Sequence, residues 1–72
     1  EISRELLIYP NPVTDILNST QEIDIKIYDM IGNLLMSAEK TNQIDMSVLP
    51  SGIYNLNITY NNQNIINRII KQ

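Results

Sequence analysis

Alternation of apolar and polar residues is the strongest pattern in this chain, and it predicts β-strands rather than helices. The clearest run covers residues 22–28, whose isoleucines at every second position would face a core while the polar side chains between them face solvent. Residues 53–60 repeat the pattern. The residues predicted to share the buried face of that second run are Tyr54, Leu56, Ile58 and Tyr60. Both runs are typical of half-buried antiparallel sheet.

Two more strands are predicted near the ends of the chain, at residues 4–9 and 64–71. The second contains paired isoleucines that would place apolar groups on both faces, so we expect it to be covered on both sides. Weaker alternation marks three shorter strands, at residues 15–18, 34–38 and 44–47. Turn-forming residues separate the segments at positions 10–12, 31–33, 50–52 and 61–62. The predicted fold class is therefore all-β, a small immunoglobulin-like antiparallel β-sandwich of about seven short strands.

Length and composition limit the chain to one small domain. Its 72 residues, 43% of them hydrophobic, can bury one core, and chains this short are marginally stable unless a disulfide, a metal or a partner supports them. Cysteine and histidine are absent, which leaves a partner as the expected support. The net charge of −3 argues against nucleic acid as a ligand, because a phosphate backbone calls for a basic surface. The sequence contains no apolar run that would form a transmembrane helix or a signal peptide, so we expect any export signal upstream of Glu1.

Side chains that could carry catalysis are few. Nucleophilic catalysis of the Ser-His-Asp or Cys-His type needs histidine or cysteine, so we predict that the domain is not an enzyme. The acidic residues have structural interpretations: Asp24 would lie on the solvent face of its strand, and three aspartates at strand ends or turns would bond the local backbone. Those three are Asp15, Asp29 and Asp45. No calcium-loop motif is present, and we predict no metal and no cofactor.

The segment 49–54 ends in a tyrosine that enters a strand directly after a Gly turn. Such a tyrosine can donate its hydroxyl to an upstream backbone carbonyl, as in the tyrosine corner of immunoglobulin-like folds. The tyrosines could instead form a platform for sugars, which makes a non-catalytic carbohydrate-binding or spacer module of an extracellular enzyme the alternative function. Because Tyr54 and Tyr60 share a face with Leu56 and Ile58, burial in the core is the favoured interpretation.

Taken in order along the chain, the turns and strand starts match a known pattern. The pieces are Tyr9-Pro10-Asn11-Pro12 followed by Ile16, Ile27-Tyr28-Asp29 followed by Gly32, Ile44-Asp45-Met46-Ser47, Leu49-Pro50-Ser51-Gly52-Ile53-Tyr54, and Lys71. This set covers nearly the whole chain and resembles the type A C-terminal sorting domain of the type IX (Por) secretion system of Bacteroidota. Two positions depart from the family pattern: Asn33 replaces a usual lysine, and Asn55 replaces a common aromatic.

The resemblance implies that residues 1–72 are one C-terminal secretion signal at the end of a larger exported protein. The cargo would pass through the periplasm and across the outer membrane to the cell surface or the medium, often with proteolytic removal of the signal and attachment to the surface. The implied partners are the outer-membrane translocon and shuttle components of the type IX system and a sortase-like signal peptidase.

The resemblance also assigns motif and recognition positions. These are Pro10, Asn11, Pro12, Asp29, Gly32, Gly52, Tyr54 and Lys71, to which we add Ile69 and Ile70 as candidate recognition residues of the last strand. We expect residues 64–72 to carry most of the recognition, by strand addition at an exposed sheet edge, because they are terminal and rich in apolar residues. An exposed apolar patch would indicate a missing partner, and homodimerisation of the isolated domain is an open alternative.

Overall fold

Residues 6–72 are described by a computed structural model, and they form five antiparallel β-strands. The strands are β1 (Ile8–Tyr9), β2 (Ile16–Tyr28), β3 (Leu34–Asp45), β4 (Gly52–Tyr60) and β5 (Gln63–Lys71). They lie in one sheet in the order β1-β2-β4-β5, and β3 pairs with the other edge of β2. Within the described residues no helix is long and apolar enough to cross a membrane.

The 13-residue strand β2 is the centre of the sheet. Its first half lies between β1 and β3, since Asn18 is opposite Tyr9 on one side and Gln43 on the other. Its second half, residues 24–28, lies between β3 and β4. Register shifts interrupt the pairing of β2 with β3, and such irregularities increase the local twist of a strand.

The buried side chains form a single hydrophobic core on the inner face of the sheet. Its buried members are Val13, Leu17, Ile23, Ile25, Ile27, Ile44, Met46, Tyr54, Leu56, Ile58 and Ile69. The alternation predicted for residues 22–28 and 53–60 is confirmed, because each second residue of those runs belongs to this cluster, apart from the half-buried Tyr60. Val13 and Met46 lie outside the strands and complete the core from loops.

The all-β, antiparallel fold class is confirmed, but the described residues contain five strands rather than about seven. The predicted strands 15–18 and 22–28 both overlap the single strand β2, and 34–38 and 44–47 overlap the single strand β3. The polar residues between the first pair hid this continuity: Ser19 is buried and its hydroxyl donates to the Gln21 carbonyl at 2.6 Å. Of the predicted strand 4–9, only Ile8–Tyr9 is a strand, and residues 4–5 lie outside the described range. The immunoglobulin-like arrangement stays a prediction.

The expectation that residues 64–71 are covered on both faces is wrong. Side chains of β5 at odd positions, such as Ile69, face the core, whereas Ile66 and Ile70 on the other face are 65% and 45% exposed. The sheet is one layer at this point, and no described element packs on its outer side. Half of the apolar side chains of the last strand therefore face outward.

Candidate functional site

The strand register brings four of the five sequence motifs to one end of the sheet, whereas the motif at residues 44–47 lies at the start of β2, where Asp45 is opposite Ile16. β2 ends where β4 begins, because Tyr28 is opposite Asn55, and β4 begins where β5 ends, because Gly52 is opposite Lys71. Residues 10–13 reach the same place through a parallel bridge between Val13 and Lys71. We call this region, made of residues 10–13, 28–33, 52–55 and 68–72, the motif end.

The segment from Asn11 to Val13 lies along the outer edge of β5. Asn11 Oδ1 accepts a hydrogen bond from the Ile70 N–H at 3.0 Å, and Asn11 Nδ2 donates to the Arg68 carbonyl at 3.4 Å. Val13 donates its N–H to the Ile70 carbonyl and accepts the Gln72 N–H, both at 2.8 Å. The Asn11 amide thus takes the place of a backbone peptide group, and we call residues 11–13 the clasp.

The clasp changes the expectation of strand addition along residues 64–72. The N–H and C=O groups of Ile70 already have partners on the outer edge, as do the Arg68 carbonyl and the Gln72 N–H. By the same alternation, the outward backbone groups earlier in β5 are those of Asn64 and Ile66, which lie beyond the reach of the clasp. A partner strand could pair with the terminal part of β5 only after the clasp is released.

The three predicted recognition residues at the end of β5 have different environments. Ile69 is 2% exposed and belongs to the core, and Lys71 is 8% exposed, with its Nζ donating to the backbone oxygen of Gln72 at 2.9 Å. Ile70 points outward and lies opposite the exposed Ile53 of β4. Of the three, Ile70 is therefore the side chain that a protein partner can contact on the folded domain.

The turn between β2 and β3 is organised by the Asp29 carboxylate. Its Oδ1 accepts the N–H groups of Ile31 at 3.0 Å and Asn33 at 2.9 Å, and its Oδ2 accepts the Asn33 side-chain amide at 3.0 Å. Gly32 has φ +97°, a conformation that side-chain-bearing residues rarely adopt. Asn33, one of the two positions that depart from the pattern described in the sequence analysis, completes this network.

Electrostatics at this turn favours the ionised carboxylate. The backbone and side-chain hydrogen bonds from Asn33, the largest contributions, lower the pKa of Asp29 below its ordinary value, against a smaller opposing effect of desolvation. Hydrogen bonds from Ser47 likewise lower the pKa of Asp45. The prediction that aspartates at turns bond the local backbone is confirmed for Asp29 and Asp45 and stays a prediction for Asp15.

Gly52 and Tyr54 begin β4 beside the last residues of β5. The Tyr54 hydroxyl donates to the Pro50 carbonyl at 2.5 Å, which confirms the predicted bond to upstream backbone. Gly52 does not have positive φ, and the nearest atoms to an added Cβ would be those of the Tyr54 ring at 4.0 Å. These two residues shape the start of the strand.

A shallow groove of about 370 Å³ lies on the outer face of the sheet and has a mainly polar lining. Its carboxylates are Asp24 and Glu39. Asp24 Oδ1 accepts the Lys40 N–H at 2.9 Å, where Lys40 has φ 49° at an irregular point of the β2–β3 pairing. Asp24 therefore has a structural role at that point in addition to its exposure.

Two features of the motif end were not predicted. The clasp joins residues that are 57 and 59 positions apart, and single-sequence patterns carry no signal for such a contact. The second feature is Ile31, which is 86% exposed at the tip of the turn. An isoleucine between the turn residues Asp29 and Gly32 was the available signal, since turn positions usually hold polar residues.

Comparison with known proteins finds a matching family model and a similar protein. A family model described as a secretion system C-terminal sorting domain matches residues 7–72. The chain is also similar to Beta-agarase D of Zobellia galactanivorans, with 37% identity over 60 residues. That alignment covers 79% of this chain and 13% of the agarase, so the chain spans a small fraction of that relative's length.

Proposed function

Because this chain belongs to the secretion system C-terminal sorting domain family, and is thus a C-terminal signal for type IX secretion, we propose that the motif end is the surface read by the secretion machinery. The observation that carries this proposal is the convergence of the motif residues. The Pro10–Pro12 segment, the Asp29 turn, the start of β4 and the end of β5 are separate in sequence and adjacent in the fold.

The groups available for recognition follow from burial. Ile53 and Ile70 form an exposed cross-strand pair, with Arg68 and Asn55 in the next outward-facing row. Exposed apolar residues beside one cationic side chain suit a partner surface that is apolar with an acidic or amide rim. The buried recognition residues Ile69 and Lys71 act in this proposal by holding β5 in place.

The proposal includes the finer steps of export. The family functions with the type IX system and delivers proteins across the outer membrane to the cell surface or the medium. We propose that the domain passes through the periplasm at the end of a larger protein, is bound by the translocon and its shuttle components, and is a substrate of a sortase-like signal peptidase. Sorting domains of this family are in general non-catalytic, and the lack of histidine and cysteine supports the same for this chain.

The carbohydrate-binding alternative is not favoured. Tyr54 is buried and Tyr60 is half-buried, so the tyrosines of β4 do not form an exposed platform for sugars. The agarase activity named for the relative belongs to a protein of which this chain covers 13%. We therefore assign any such activity to a cargo and not to these 72 residues.

Export of a reporter tests the proposal directly. A reporter with a periplasmic signal peptide and residues 1–72 at its C-terminus is expressed in a type IX-competent bacterium and in the same strain without the translocon. We expect surface or medium delivery in the competent strain alone. Retention of the folded, intact fusion in both strains would contradict the proposed function.

A matched pair of variants locates the recognition surface. Ile70→Asn changes an exposed side chain of the motif end, and Ile66→Asn changes an exposed isoleucine on the same face of the same strand outside it. We expect export to fall with the first change and to persist with the second. If the Ile70→Asn fusion is exported as well as the Ile66→Asn fusion, the outward face of the motif end is not the surface that the secretion machinery binds.

A further inference from the structure

We propose that the exposed side chain of Ile31 inserts into an apolar pocket of a translocon protein and so makes a second contact besides the end of β5. This inference rests on the proposed function, because it takes the translocon as the partner. It adds a specific anchoring residue on the β2–β3 turn, which the family motif assigns to turn formation through Asp29 and Gly32.

The exposure of the tip is the first observation. Ile31 is 86% exposed, the highest value among the large exposed hydrophobic residues of the described chain. Met30 and Leu34, which are close to Ile31 in the sequence, are each roughly half exposed, so the turn and the first residue of β3 expose three apolar side chains. Scattered apolar residues on a surface need no explanation, but an apolar group at the tip of a turn is a candidate contact.

The rigidity of the tip is the second observation. The Asp29 carboxylate accepts the Ile31 N–H directly, and the Asp29 N–H donates to the Asn33 carbonyl at 3.0 Å. Gly32 donates its N–H to the Asp29 carbonyl at 3.2 Å. The backbone that carries Ile31 is therefore held in one conformation before binding, which lowers the entropic cost of inserting its side chain into a pocket.

The fold does not itself need an isoleucine at this position. Ile31 is absent from the buried core and from the partly buried residues that pack on it. The turn is formed by Asp29, Gly32 and Asn33, and from Ile31 it uses the backbone N–H. A polar side chain at position 31 would leave these hydrogen bonds intact, so its apolar character is available for an external contact.

The charge of the tip selects the kind of partner. Residues 27–35 contain one residue that is charged at neutral pH, Asp29, and no lysine, arginine or tryptophan. Segments that bind anionic membrane surfaces usually combine apolar residues with basic ones, so a lipid surface is disfavoured. A second copy offers a poor site, since two grooves in the described part of the chain, of about 370 and 340 Å³, are lined mainly by polar groups. A concave, uncharged pocket in a protein fits the tip best.

The test uses the reporter fusion with three substitutions. Ile31→Asn removes the apolar group, Ile31→Leu keeps it, and Leu7→Asn changes a half-exposed apolar residue that bonds Thr20 in the middle of β2. We expect Ile31→Asn to lower surface delivery by about tenfold, as for the loss of a buried interface anchor. We expect the Ile31→Leu and Leu7→Asn fusions to be delivered normally, and all three to unfold thermally at the temperature of the parent.

Site-specific photo-crosslinking identifies the partner. A photo-reactive residue at position 31 should give an adduct with a translocon subunit, and the adduct should disappear when that subunit is deleted. Normal export of the Ile31→Asn fusion would overturn the proposal. It would also be overturned if Ile31→Asn abolished flotation with phosphatidylethanolamine–phosphatidylglycerol vesicles, or dimerisation of the purified fusion. Failure of the parent fusion to be exported would instead contradict the proposed function, so the two failures are distinguishable.

Discussion

Removing the Asn11 side chain should open the edge of β5 without disturbing the core. Asn11→Ala deletes the bond from the Ile70 N–H at 3.0 Å and the weaker bond to the Arg68 carbonyl at 3.4 Å. Each intramolecular hydrogen bond contributes a net 0.5–1.5 kcal/mol, and the longer one lies at the low end, so we expect a loss of about 1–2 kcal/mol. In a domain of this size each kcal/mol lowers the midpoint of thermal unfolding by roughly 4–8 °C.

Urea denaturation and amide hydrogen exchange measure this effect on the purified fusion. Exchange at Ile70 should accelerate more than exchange at the buried Ile58, because the clasp opens locally while the sheet stays paired. Asn11→Asp keeps the acceptor for the Ile70 N–H and should cost less than Asn11→Ala. Asn42→Ala is the control, since Asn42 is exposed and its side chain makes no hydrogen bond with the described residues. Unchanged stability and unchanged Ile70 exchange in Asn11→Ala would refute the assignment of the clasp.

Three further changes test the other motif residues. Tyr54→Phe removes the hydroxyl bond to upstream backbone and should lower the free energy of unfolding by about 1 kcal/mol, measured by urea denaturation; an unchanged midpoint would contradict a structural role for the bond. Gly32→Ala should lower the free energy of unfolding by about 1 kcal/mol or more through backbone strain alone, because the residue has positive φ and the added Cβ would meet open space. Gly52→Ala should lower it less, and an equal loss of stability in the two variants would exclude backbone strain as the cause. Hydrogen bonds from Asn33 lower the pKa of Asp29, so the ionised carboxylate adds to the stability of the fold above the unfolded pKa of about 4, and this stabilisation is lost as pH falls through the folded pKa. The difference in free energy of unfolding between the parent and Asp29→Asn should therefore shrink below about pH 4, and a difference that stays constant would argue against this linkage.

The sequence was informative where one physical rule decides the local structure. Alternation correctly predicted that Ile23, Ile25 and Ile27 lie in the core. In a strand with one solvent-exposed face, a shift by one residue would move all three isoleucines into water, so the buried face is fixed by the sequence pattern. The bonds of Asp29 and Tyr54 were predictable because their partners lie within a few positions of each residue. In each of these cases the structure is decided by a contact between residues close in sequence, or by the two-residue alternation of side chains along a strand.

Predictions failed where the outcome depends on distant parts of the chain. Residues 19–21 lack alternation, yet β1 pairs with residues 18–19, β4 pairs with residues 24–28, and the strand continues between these two regions. The exposure of Ile66 follows from the absence of a described element on the outer side of β5, which the composition of the strand does not reveal. The clasp needs Asn11 to meet Ile70 across 59 positions, a contact that only the assembled sheet defines.

The clasp separates two ways in which a receptor could read the end of β5. The outward N–H and C=O groups of Ile70 cannot bond the clasp and an added strand at the same time. If the receptor adds a strand there, the clasp competes with it, and weakening the clasp by Asn11→Ala should strengthen binding. If the receptor reads the side chain of Ile70 on the intact surface, the same substitution should weaken binding by loosening that surface. We favour the second mode, because the clasp satisfies this edge with four hydrogen bonds while Ile53 and Ile70 stay exposed beside it.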